Sequence, residues 1–265
     1  MAPQLKRAPF VVVMPVAAAA LPITASLLIS IALAGCPKAH VDAHVDPKLA
    51  AVTAALDKRF GAIKDISIAG TAAQGAETSP FTYEMKQPQF VRATLGPHSF
   101  TFDGKALLVR DDDAKVAQRK DLAGVDEPTR LLMLHQAFSR FACEGWRPPL
   151  IRPTGAHVDD AAGRWTVVVP IDDSELKEER LVLKQGTADF VEKSIVNKAG
   201  APVTSTKVTA ELVDPTTKMT FPKAWETTGG DGNGLKMSID KAVVNGGLDA
   251  ARFNTDVPAG YKTTP

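Results

Sequence analysis

The sequence predicts an α+β fold, mainly antiparallel β, with about ten short strands, an N-terminal helix and a central apolar helix. Three observations predict it. Apolar and polar residues alternate with period two in run after run from Ile63 onward, the pattern of half-buried strands. Turn residues separate these runs so closely that successive strands form a meander rather than crossover units. Helical spacing replaces the β pattern in two places, one before the first strand and one in the middle of the chain.

The chain begins with Lys6 and Arg7 and no acid, followed by an apolar run from Phe10 to Leu33 that ends in Leu33-Ala34-Gly35-Cys36. A basic start, an apolar stretch and small residues form the pattern of a secretory leader. Leu33–Cys36 resembles the lipobox of bacterial lipoproteins. That resemblance implies cleavage before Cys36 and acylation of its thiol and new amine, anchoring the chain to a membrane. The alternative is an uncleaved helix, since the run is long enough to span a bilayer at about 1.5 Å per residue. Pro15 and Pro22 interrupt it and weaken that alternative. Pro37 stands where the familiar inner-membrane retention signal has an aspartate. This points to the outer membrane, facing the periplasm, as the location in the cell envelope.

The organisation expected is therefore a signal peptide over 1–35, a lipidated cysteine and tether over 36–46, and one domain over 47–265. Without Lys6 and Arg7, 29 basic residues face 30 acidic ones, and no basic block stands out. Nucleic acid is excluded as an expected partner on that balance. With Cys36 acylated, Cys143 has no cysteine left to pair with. It reads as a small buried hydrophobe.

The tether carries a tandem tetrapeptide, Ala39-His40-Val41-Asp42 and Ala43-His44-Val45-Asp46. Two histidines four apart have metal-ligand spacing on a helix, but only two strong ligands are present, so a solvated spacer is the expectation. Asp46-Pro47 starts the first helix, with an acid at the N-cap and proline in the first turn. Leu49, Val52, Leu56 and Phe60 repeat on one stripe, and Gly61 stops it.

Strands follow around Ile66 and Ile68, then Phe81, Tyr83 and Met85, then Phe90–Leu95 and His98–Phe102. Asp103-Gly104 is a hairpin signal leading into Ala106–Arg110, and Asp111-Asp112-Asp113 turns the chain into Val116–Lys120. The triplet needs no calcium to explain it as a surface turn. Asp126-Glu127-Pro128 then opens the central helix. Leu131, Leu134, Phe138 and Phe141 lie at helical spacing, with Leu132, Met133, Ala137 and Ala142 widening the apolar surface and Gly145 as the expected end. A helix this broadly apolar is deeply buried or covers an apolar cavity. His135, between apolar neighbours, reads as a hydrogen-bonded imidazole rather than a base.

After Pro148-Pro149 the strands resume at Trp165–Val169, Arg180–Lys184, Phe190–Val196, Lys207–Leu212, Met219–Phe221, Leu235–Ile239 and Ala242–Val244. Gly230–Gly234 carries part of a calcium-loop pattern, but Ala242 stands where a bidentate Glu is required. There is no Gly-x-Ser-x-Gly elbow, phosphate loop, His-Glu-x-x-His motif or cysteine cluster, so the sequence supplies no reason to expect an enzyme, a metal or a cofactor.

In the order of its elements from Pro47 to Tyr261 the chain resembles the LolA/LolB-type lipoprotein-carrier superfamily. The residues behind this are Phe102-Asp103-Gly104-Lys105 running into Ala106–Arg110, the helix before Ile63–Ala73, and the ending Phe253 to Val257-Pro258-Ala259-Gly260-Tyr261. The resemblance implies an open antiparallel half-barrel with both helices on its concave side and a cavity for a lipid or a lipoprotein acyl chain. Phe90, Leu134, Phe138, Phe141, Trp165 and Phe190 are the expected wall residues, with a solid core built from the same six as the alternative. A tethered Cys36 makes the chain more similar to the anchored acceptor of that family than to its soluble shuttle. The competing expectation is an interaction or sensor lipoprotein with the same sheet, a closed core and an envelope protein as partner.

Overall fold

The computed structural model describes residues 46–139, 141–229 and 234–263. The leader, Cys36, the tandem repeat with His40 and His44, and positions 230–233 of the glycine-rich loop lie outside the described residues.

Helix α1 spans Pro47–Gly61 and starts where an acid precedes proline: Asp46 Oδ1 accepts from Lys48 N at 2.8 Å. The second oxygen of the same carboxylate accepts from Val158 N at 2.9 Å, so the cap also ties the helix to a distant edge strand. Leu49, Val52, Leu56 and Phe60 form its buried stripe.

The first meander contains β1 (Asp65–Gln74), β2 (Glu77–Lys86), β3 (Phe90–Leu95), β4 (His98–Asp103), β5 (Ala106–Asp111) and β6 (Val116–Asp121). Helix α2 (Glu127–Phe138) and an irregular stretch follow. The second meander contains β7 (His157–Ala161), β8 (Arg164–Pro170), β9 (Leu176–Lys184), β10 (Phe190–Asn197), β11 (Pro202–Val213), β12 (Thr220–Gly229) and β13 (Gly234–Val244). A short β14 (Lys262–Thr263) closes the chain. All belong to one open sheet in the order β14-β6-β5-β4-β3-β2-β1-β13-β12-β11-β10-β9-β8-β7. Pairing is antiparallel throughout, apart from β14, which lies parallel to β6.

The class expected from the pattern is thus observed, but the sheet has 14 strands, not about ten. Edge strand β7 contributes a single buried residue, Val158, and its Asp159 and Asp160 read as loop. Strand β13 reads as two pieces because a bulge interrupts its alternation: Ala69 pairs with Lys241 while Gly70 pairs with Ile239, leaving Asp240 out of register. Met237 and Ile239 are buried before the bulge and Val244 after it, a change of parity. Gly70 permits this close approach, since a Cβ there would lie 2.0 Å from the Ser238 carbonyl oxygen and 2.8 Å from the Phe81 ring.

The two meanders meet only where β1 pairs with β13, so the chain from β6 to β7 must travel from one edge of the sheet to the other. It does so across the inner face, carrying α2 with it. The outer face receives the C-terminal segment: Arg252 pairs with Glu84, and Thr255 Oγ1 donates to Asp103 Oδ2 at 2.6 Å. Asp103 also holds its own turn, accepting from Lys105 N and Ala106 N, both at 2.8 Å. The acidic triplet is a turn of the same kind, with Asp111 Oδ1 accepting from the backbone of Asp113 and Ala114. Among the described residues, no helix is long and apolar enough to cross a membrane.

Candidate functional site

Helix α2 begins as its sequence predicts, with Asp126 Oδ1 accepting from Thr129 N at 3.0 Å and Pro128 in the first turn. It ends earlier than expected, at Phe138. The reason lies in the sheet: Phe138 and Phe141 both pack on Phe100 of β4, with centroids 6.3 and 5.0 Å away. Gly145 is not a helix stop. It is a contact point, since a Cβ there would lie 2.4 Å from the Pro222 ring. That approach lets Trp146 stack on Phe221 at 4.4 Å and donate from Nε1 to the Pro222 carbonyl at 2.7 Å. Trp146 is fully buried and anchors the crossing segment to β12.

Between α2, the loop after Trp146 and strands β2 and β3 runs a groove of about 240 Å³. Tyr83, Met85 and Val91 form its floor, Leu131, Leu134 and Phe138 one wall, and Arg147-Pro148-Pro149-Leu150 the other. Its lining is mostly apolar, and Leu131 is 39 % exposed at its side.

One end of the groove is polar. Arg147 Nη1 donates to His135 Nδ1 at 2.6 Å, which places the ring proton of a neutral imidazole on Nε2. Glu144 Oε1 accepts from Arg147 Nη2 at 3.1 Å and from Lys193 Nζ at 3.0 Å. Lys193 also meets Glu179 at 3.2 Å. Burial and the nearby charges of Arg147 and Lys193 hold the His135 imidazolium down to about 3. Burial alone would push the Glu144 carboxyl up; Arg147 and Lys193 outweigh it and bring the group down to about 2. His135 is therefore the hydrogen-bonded imidazole that its setting predicts. Cys143 is buried beside this cluster, and desolvation pushes its thiol up to about 12.

These shifts make acid destabilising. Below its ordinary value of 6.5, His135 takes up a proton in the unfolded chain but not in the folded one, and below 4.5 Glu144 does the same. The unfolded state then binds more protons, so stability falls with pH from about 6.5 downward. Thermal melts of the domain should show Tm dropping between pH 7.5 and 5, where His135 alone among these two titrates. His135→Gln should flatten that part of the curve; an unchanged slope would contradict the assignment.

The six expected wall residues do not converge. Leu134 and Phe138 line the groove, and Phe141 packs behind Phe138 at 6.4 Å. Trp165 and Phe190 both pair across from Leu183, in a core row of β8, β9 and β10 outside the groove. Phe90 lies on the outer face, 5.6 Å from Phe253. Register decides this: Met85 pairs with Val91 and Tyr83 with Ala93, so Val91 turns to the groove and Phe90, opposite Lys86, turns away. The floor residues Tyr83 and Met85 were legible as a period-two apolar run, Arg147 only as a basic residue flanking the end of the central helix, and Glu144 and Lys193 carried no signal in their spacing.

A larger space of about 380 Å³ lies on the outer face, beside Asp65, Glu84, Lys241 and Arg252. Its buried carboxylates are already engaged, Glu84 by Arg252 and Asp65 by the Gly247 backbone N–H at 3.1 Å. A polar, internally paired surface of this kind does not suit an apolar chain. Among the described residues, no group of three or more metal-ligating side chains converges.

No family model and no curated protein matches the chain. Solved structures do. A DUF1329 family protein from Desulfovibrio piger superposes with a TM-score of 0.54 at 10 % identity, covering 79 % of this chain and 98 % of its own. A protein domain assigned to outer membrane lipoprotein sorting, from Vibrio parahaemolyticus, gives 0.52 at 7 % identity, covering 77 % of this chain and 95 % of its own. A LolA superfamily protein from Nitrosomonas europaea gives 0.46 at 10 % identity, covering 78 % and 96 %. At such identities the likeness is one of fold. One open antiparallel sheet crossed on its inner face by an apolar helix is thus the fold this chain shares with the DUF1329 family protein and with the lipoprotein-sorting domain, consistent with a LolA/LolB-like fold.

Proposed function

We propose that this protein is a non-enzymatic lipoprotein of the cell envelope, anchored through acylated Cys36, that binds the acyl chain of a lipid or lipoprotein beneath α2. The observation that carries the reading is the groove: an apolar trough of about 240 Å³ on the face where α2 crosses the sheet. Small-molecule sites usually run from about 300 Å³ upward, so this one suits a single chain rather than several. Its wall is incomplete, since Leu131 of α2 keeps 39 % of its surface in solvent. Each methylene a guest buries there contributes about 0.8 kcal/mol. The lipobox-like Leu33–Cys36 supports the anchor, and Pro37 supports the outer membrane.

The test has two parts. The full chain, expressed with its leader in a bacterial host, should yield Cys36 carrying acyl groups by mass spectrometry, with lipid co-purifying in the protein fraction. Titration with a fluorescent fatty acyl probe should show saturable binding, and Leu134→Trp, which fills the groove, should weaken it at least about tenfold. Probe binding that Leu134→Trp leaves unchanged would move the site elsewhere, and an absence of both lipid and probe binding would remove the reading.

A further inference from the structure

Three of the polar side chains that line the groove are Tyr83, Arg147 and His135. Tyr83 is 1 % exposed and lines the floor, and its hydroxyl is not among the fully buried polar atoms left without a partner, so it borders the open space of the groove. A hydroxyl that borders such a space can donate to and accept from whatever enters it. Arg147 lies in the opposite wall with its side chain 7 % exposed, and its charge is felt at Tyr83. It spends one N–H on the Ala142 carbonyl, one on His135 and one on Glu144, and a guanidinium has five. The third group, His135, is engaged on both ring nitrogens: Nδ1 accepts from Arg147, and Nε2 lies 3.4 Å from Arg147 Nη2 and 3.7 Å from Glu144 Oε1.

Charge follows the same direction. Arg147, Lys193 and Arg152 all bear on His135, and Glu144 is the carboxylate that opposes them there. Glu144 receives both Arg147 and Lys193 on one oxygen, and Lys193 is shared with Glu179. The groove therefore ends in unused donors within a positive surround, against an otherwise apolar lining. An apolar chain with a neutral or cationic end would leave these donors unmatched, whereas an oxygen acceptor with negative charge would fill them.

Resting on the acyl-chain reading above, we propose that Tyr83 and Arg147 bind the carboxylate of a single-chain amphiphile, so that the groove selects an anionic acyl chain end-on.

The experiment uses the intact domain and displacement of the neutral dye N-phenyl-1-naphthylamine by three competitors: dodecanoate, its methyl ester and dodecyltrimethylammonium, each below its micelle concentration. Dodecanoate should displace the dye at a concentration at least about tenfold lower than either other chain, as a charge-assisted hydrogen bond predicts. Tyr83→Phe removes the hydroxyl and keeps the ring, and should weaken dodecanoate about tenfold while moving the ester less than about threefold. Arg147→Gln should abolish the preference; should that variant not fold, the wild-type and Tyr83→Phe comparisons decide alone. Equal displacement by all three overturns carboxylate selection and leaves acyl binding standing. A preference for the ester assigns the site to an esterified lipid and likewise overturns it. Failure of all three to displace the dye overturns both readings.

Discussion

Trp146→Ala should destabilise the domain by about 3–5 kcal/mol, the largest loss expected from a single side chain here. The indole is fully buried, lies parallel to Phe221 at a centroid separation of 4.4 Å, and holds the Pro222 carbonyl at 2.7 Å. Truncation removes the stack, opens a cavity and leaves that carbonyl without its donor. The neighbouring Gly145 sits against the Pro222 ring, so the backbone there has little room to settle into the void. Urea unfolding of wild type and variant measures the loss. Trp146→Phe separates the parts, because it keeps most of the stacking and forfeits the hydrogen bond, with an expected cost of about 1 kcal/mol beyond the lost area. The functional consequence follows from sequence position: Arg147-Pro148-Pro149-Leu150 form a groove wall, and Trp146 fixes where that wall starts. Acyl-probe affinity should therefore fall in Trp146→Ala even under conditions where the domain remains folded.

Asp189→Ala should cost a similar amount, about 3–5 kcal/mol, for an electrostatic reason. Arg59 near the end of α1 meets Asp189 at 2.6 Å, with side-chain exposures of 4 % and 9 %. Burial works against the Arg59 charge, and the Asp189 carboxylate is what supports it. Without Asp189 the guanidinium keeps the Thr220 carbonyl, at 2.6 Å, and the faces of Phe221 at 5.0 Å and Phe60 at 5.8 Å, none of them a negative charge. Its Nε is already without a partner. Removing the cation as well should restore much of the loss, since a buried pair replaced by apolar side chains is often neutral or better. The double variant Arg59→Met with Asp189→Leu should thus be more stable than Asp189→Ala. Chemical denaturation of the two variants and wild type checks this, and a double variant as weak as Asp189→Ala would show that the pair is needed for packing rather than charge.

Both residues act on Phe221. Arg59 from α1 and Trp146 from the crossing segment meet at its ring, so this side chain of β12 ties both segments to the sheet. Neither partner could be recognised as such from spacing. Arg59 stands outside the apolar stripe of the first helix, and nothing in its spacing points to Asp189 or Phe221. Trp146 reads as the residue after a glycine that ends a helix. Each takes its role from a strand far along the chain.

Much of the architecture was nevertheless legible. Asp46-Pro47 and Asp126 to Pro128 mark helix starts that the structure reproduces, because an N-cap is an interaction between residues two or three apart. Asp103-Gly104 and Asp111–Asp113 mark turns for the same reason. The candidate site was legible only in part. Leu134 and Phe138 are wall residues by virtue of their place on α2, and a helix keeps its own face. Phe90 illustrates the opposite case: an apolar residue at the start of a strand, whose face depends on the partner strand and not on its own sequence.

By itself, then, the sequence determined the α+β class, the succession of two meanders about an apolar helix and the start of each helix, all of which depend on residues close along the chain. Only the tertiary structure decided that β1 pairs with β13, which side of each strand faces α2, and that Tyr83, His135, Glu144, Arg147 and Lys193 gather at one groove. Those outcomes depend on register. Register is set by contacts between distant segments, and a single extra residue such as Asp240 reverses it for everything beyond.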